Sequence, residues 1–108
     1  MSALARAVDD PPVEFEREHG STEAEWLRCL PGAVGAHRLV LASPGRAMVA
    51  LQPAGELQLD WQVLPERQIA LVRLPRLRVR YRFGPATSAG QREAFLRYFD
   101  LFMRRGGG

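Results

Sequence analysis

Between Arg76 and Phe83 the chain reads RLRVRYRF, arginine and an apolar residue in strict alternation. Eight residues with a period of two satisfy one regular structure, a β-strand with a wet face and a buried face, because successive side chains leave opposite sides of the pleat. The period returns in LQLDWQVL, where Leu57, Leu59, Trp61 and Val63 alternate with Gln58, Asp60 and Gln62. A half-buried sheet must be covered on its apolar face, and a chain of 108 residues holds few elements that can do it.

Strand-like text extends from Ala36 to Phe83, with turn signals every eight to ten residues. AHRLVLA runs into SPGR, AMVALQ into PAGE, and LQLDWQVL into PERQ, all rich in the residues turns demand. QIALVRL is apolar on both faces and reads as a central strand. Pro75, which cannot donate to a ladder, marks either a tight reversal or a bulge in one long strand. Near the start, Val13 and Phe15 alternate with Glu14, Glu16 and Glu18, the period of a short first strand. Glutamates are poor strand formers, so a first turn of helix competes over residues 13–19.

Two segments carry helix punctuation. In STEAEWLRCLPG, Thr22 and Glu25 have capping-box spacing, acids cluster in the first turn, and Pro31 with Gly32 closes a short helix of about two turns. In SAGQREAFLRYFDLFMRR, Ser88 and Gln91 repeat that spacing, and Phe95, Tyr98, Phe99 and Phe102 form an i, i+3, i+4, i+7 stripe. Glu93–Arg97 and Asp100–Arg104 are i,i+4 pairs in the favourable order, and Gly106 suits the left-handed C′ position.

The pattern predicts an α+β domain: an antiparallel meander of five or six strands, a short N-terminal helix, and a long amphipathic C-terminal helix packed on one face. TATA-binding-protein-like and helix-grip folds share this element order, a likeness carried by order and by no motif. Residues 1–12 read as a flexible arm, 13–105 as one domain, and 106–108 as a disordered glycine tail.

Composition narrows the class. Apolar residues at 46% and charged residues at 25% are ordinary globular usage. A single cysteine, Cys29, permits no intrachain disulfide and suits a reducing compartment. The N-terminal apolar run is too short for a signal peptide, and nowhere do 18 apolar residues follow one another, so the expectation is a cytoplasmic protein without a membrane partner. All fifteen basic residues are arginine, the usage of a GC-rich, bacterial genome. Residues 1–65 hold nine acids and five arginines; residues 66–108 hold three acids and ten arginines. Such asymmetry means a basic surface for a partner or two halves that neutralise each other in the fold.

Arg73, Arg76, Arg78, Arg80 and Arg82 form the candidate binding face. On a strand the last four stand ~6.6 Å apart, close to the phosphate spacing of a nucleic-acid strand. Tyr81 and Phe83 point to the other face and cannot stack bases beside them, which weakens a single-strand platform. Glu14, Glu16 and Glu18 share the arginines' period, so a first strand lying beside the last would set a glutamate row against an arginine row. An acidic protein partner, or a homodimer through an uncovered sheet edge, is the competing occupant. A gap between sheet and C-terminal helix would make an apolar pocket of Trp61, Phe95, Tyr98, Phe99 and Phe102.

Chemistry-bearing constellations are few. His19, His37 and Cys29 match no zinc spacing. Cys29 lies near a helix C-terminus, where the dipole opposes a thiolate. Ser43 lacks a nucleophile-elbow context, and no carboxylate pair stands out for acid–base work. No catalytic residue, metal or cofactor is assigned. The reading is a non-enzymatic binding or protein-interaction module using its exposed sheet face, with nucleic-acid binding through the arginine row or a small apolar-ligand pocket as alternatives.

Overall fold

The computed structural model describes residues 12–107, so residues 1–11 of the arm expected over 1–12 and Gly108 of the expected tail lie outside the described residues. The elements run β1 (Glu14–His19), α1 (Glu23–Val34), β2 (Arg38–Ser43), β3 (Arg46–Ala50), β4 (Glu56–Ile69), β5 (Val72–Phe83) and α2 (Ala89–Phe102), which passes into a π-helical turn over Met103–Gly107. The strands make one antiparallel five-stranded sheet in the order β1-β5-β4-β3-β2. The chain is thus an α+β protein, with two α-helices among the described residues.

Alternation decides which face is covered. Leu57, Leu59 and Trp61 of β4, Leu77, Val79, Tyr81 and Phe83 of β5, and Ala47 and Val49 of β3 are buried, while their even-numbered neighbours are not. Trp26, Leu30, Ala33 and Val34 of α1 and Phe95, Leu96 and Phe99 of α2 complete the same core. Both helices therefore cover one face, and the arginine face stays open. The aromatic rings interlock rather than leave a gap: Trp26 lies 5.7 Å from Trp61 and 6.1 Å from Phe99, and Tyr81 meets Phe99 edge-on at 5.9 Å. Edge-to-face pairs of this kind add to burial itself.

Several local expectations are corrected. Pro31 and Gly32 do not end α1, which continues to Val34 and is capped by Gly35 at φ 66°. Proline removes one helical hydrogen bond there, but continuing the helix buries Ala33 and Val34, and tertiary burial outweighs the local break. Gly32 serves the crossing of the two helices, since a Cβ there would overlap the Phe102 ring. The capping box of Thr22 and Glu25 is complete, whereas Ser88 makes only half of one: its hydroxyl accepts from Gln91 N–H, and the Gln91 amide instead donates to the Gln52 carbonyl at 2.9 Å. Asp100 pairs with Arg17 of β1, not with Arg104, while Glu93–Arg97 forms at 3.1 Å.

The largest correction concerns QIALVRL. It is no central strand but the tip of a hairpin joining two long strands, with Ile69 opposite Val72 and only Ala70 and Leu71 between them. PERQ is a β-bulge rather than a turn: Pro65 and Glu66 of β4 stand against Pro75 of β5, where the register shifts. Prolines on both strands lack the N–H a regular ladder would use, so a bulge is where both fit. β1 reaches along β5 only to Leu77, and β3 along β4 only to Asp60. Beyond those points β4 and β5 pair with each other alone and project as an arm, which helps give the molecule a 54 Å long axis against 29 and 24 Å.

Candidate functional site

The open face is built on β5 and its two neighbours. Glu14, Glu16 and Glu18 of β1 stand directly across from Arg82, Arg80 and Arg78. The ion pairs do not all follow that register. Glu18 accepts from Nε and Nη2 of Arg76 at 2.9 and 3.0 Å, a bidentate fork, one step along the strand. Glu16 takes Arg80 at 3.1 Å, and Glu14 lies between Arg80 at 3.8 Å and Arg82 at 3.6 Å. The bond from Arg76 holds the Glu18 carboxyl below its ordinary range. The diagonal leaves Arg78 with no carboxylate within 4 Å among the described residues.

On the other side of β5 the partners are Gln58, Asp60 and Gln62 of β4. Asp60 accepts from Arg46 Nε at 2.6 Å and from Gln58 Nε2 at 2.8 Å. Burial alone would raise its pKa, yet these two bonds outweigh it and the carboxyl is held below the usual range. On this face lies a cleft of about 360 Å³, whose lining includes Glu16, Arg46, Asp60, Arg78, Arg80 and Arg82. Four guanidinium groups there meet two carboxylates. The excess is positive, and Arg78 is the group most available to an arriving anion.

Arg73 does not join this row. It lies on the arm, opposite Gln68, 3.7 Å from Glu66 and largely in solvent. Alternation along β5 puts it on the other face of the ribbon from Arg76.

The apolar candidates also separate. Trp61, Phe95 and Phe99 belong to the filled core. Tyr98 is half exposed and packs beside Gly35, and Phe102 lies against Gly32. An apolar groove of about 490 Å³ near Tyr98 lies between the end of α1 and α2, lined by Val34, His37, Leu51, Gln91, Phe95 and Tyr98. Of the five apolar candidates it is lined by Phe95 and Tyr98 alone. Among the described residues no three His, Cys, Asp or Glu side chains are grouped to hold a metal. His37 Nδ1 accepts from the Gln52 N–H, and Cys29 is buried in α1.

One polar group was missed from the sequence. Arg17 lies on the helix side of β1, ion-paired to Asp100 and with its guanidinium 5.2 Å from the centre of the Tyr81 ring. Beside it His19 Nε2 is 2.8 Å from Tyr81 Oη. Burial pushes the Tyr81 hydroxyl pKa up and the His19 pKa down, so both groups are held neutral. The available signal was parity: an arginine and a histidine in step with Phe15 sit on the strand face that must be buried, and buried charge needs a partner.

Compared with known proteins, the chain matches no family model, no curated protein and no solved structure.

Proposed function

We propose that this chain is a non-enzymatic protein-interaction module of the bacterial cytoplasm, whose open sheet face receives an acidic partner. The observation that carries the reading is the cleft on that face, where Arg46, Arg78, Arg80 and Arg82 outnumber Glu16 and Asp60 and Arg78 keeps no carboxylate among the described residues. A groove that sets Arg46, Arg80 and Arg82 beside carboxylates and leaves Arg78 over is a site for a further carboxylate, which a guanidinium group takes in a planar fork. Nucleic acid is less well supported, because Tyr81 and Phe83, the aromatic residues that alternate with the arginines, are buried on the opposite face and cannot stack bases beside them. No helix among the described residues is long and apolar enough to cross a membrane. A second reading, a small apolar ligand, is favoured by the groove beside Tyr98.

The test is fluorescence anisotropy of a labelled glutamate-rich peptide, and separately of RNA and DNA, at low and physiological salt. The peptide is expected to bind, with Arg78→Glu weakening it at least tenfold while the melting temperature is kept. Tight, steeply salt-dependent RNA or DNA binding lost in the same variant would replace this reading with a phosphate grip. No binding of any polyanion would leave the open face without an acidic partner and overturn it.

A further inference from the structure

The arm formed by β4 and β5 ends in a tip that is costly to make and costly to expose. A two-residue hairpin turn favours Gly, Asn or Asp, because its backbone enters φ > 0. Here the turn is Ala70–Leu71, with Ala70 at φ 54°. The side chains are aliphatic: Leu71 is 97% exposed, and Ile69, Val72 and Leu74 are each well exposed around it. Pairing sets Ile69 beside Val72, and alternation puts Leu74 on the same face of the ribbon. A tip that only had to reverse the chain has no use for this surface.

The molecule also carries a receptor that matches it. At the end of the sheet from which the arm departs, a depression of about 360 Å³ lies between α1 and the turn joining β2 to β3, lined by Leu27, Leu41, Pro44, Gly45 and Trp61. Leu27 and Leu41 are exposed. Glu23 closes its rim, its carboxylate accepting from Trp61 Nε1 at 2.8 Å and having no cation within 4 Å among the described residues.

Charge then selects the occupant. The arm over 62–76 holds Arg67, Arg73 and Arg76 against Glu66, a net positive finger that suits the Glu23 carboxylate at the rim of the depression. Set tip to base, Leu71 at the turn enters the apolar depression, and Arg73, on the face of the ribbon away from Val72 and Leu74, approaches Glu23. We propose that the partner is a second copy of this chain, the two arms lying antiparallel about a two-fold axis with each Leu71 seated against Leu27, Leu41 and Pro44 of the other copy. The arrangement is isologous and closes on itself, because an arm long enough to reach its partner's base is met by an equal arm coming back. It uses neither the arginine row nor the unpaired backbone of the β2 edge, so it stands independently of the acidic-partner reading.

Sedimentation velocity over a dilution series tests it. The wild-type chain is expected to be a dimer. Leu71→Asp is expected to weaken association by about thirtyfold or more, the loss of a buried aliphatic anchor. Leu71 meets almost no neighbours within its own chain, so the variant should keep the wild-type circular dichroism. Leu27→Asp attacks the receptor and is expected to give the same loss. An equal mixture of the two variants should regain part of the dimer, because a mixed pair keeps one intact tip and one intact receptor facing each other. A wild-type chain that stays monomeric at every concentration overturns the proposal. So does a Leu71→Asp chain that dimerises like wild type, the result that pairing through the β2 edge would produce.

Discussion

His19 stands at the end of β1 with its ring against Trp26 and its Nε2 bonded to Tyr81 Oη. Burial first, and the Arg17 charge second, depress its pKa in the folded state, while Asp100 opposes them. The sign of the consequence follows. As pH falls through the ordinary value of ~6.5, the unfolded chain takes up a proton that the folded chain resists, so stability is full above that pH and declines below it. Melting temperature is expected to fall between about pH 7.5 and about pH 5.5, and less steeply in His19→Gln. Equal slopes in the two proteins would show that His19 is not the group responsible. At this scale parity along β1 was legible, since Phe15, Arg17 and His19 share a face. The identity of Asp100 as the Arg17 partner was not: Asp100 lies 83 residues away, and its nearer candidate by helix spacing was Arg104.

Elements whose ends depend on local hydrogen bonding were readable, and those whose ends depend on packing were not. The Thr22–Glu25 box begins α1 where the spacing predicts. The end of the same helix was misplaced because Pro31 and Gly32 are only local costs, offset by burying Ala33 and Val34. The arm was misread for the opposite reason. Its true turn carries no turn residue, while Pro65 of PERQ sits in a bulge, and of the two readings of Pro75 it is the bulge in one long strand that forms. Ala70 at φ 54° is strained, so Ala70→Gly is expected to raise stability by about 1 kcal/mol in urea denaturation, the Cβ penalty outweighing the added freedom of the unfolded chain. A destabilised variant would mean that the tip holds φ > 0 without strain.

Over the whole molecule, one core serves both helices and the sheet, so damage at its centre is not local. Phe99 is fully buried and touches the rings of Trp26, Tyr81 and Phe95. Phe99→Ala is expected to cost about 3–5 kcal/mol in denaturant unfolding, through lost burial and the cavity left behind. A loss below about 1 kcal/mol would mean that the core collapses freely around the gap. The sequence by itself determined the class of the protein, because period-two and period-3.6 patterns dictate which side chains share a face whatever the neighbours are. It also placed a glutamate row and an arginine row in step, and β1 does lie against β5. Only the tertiary structure decided which carboxylate holds which arginine, that Arg78 is passed over, and that a run of apolar residues becomes an exposed tip. Those outcomes depend on strand order, twist and bulge, which arise from contacts between residues distant in the chain and leave no trace in local periodicity.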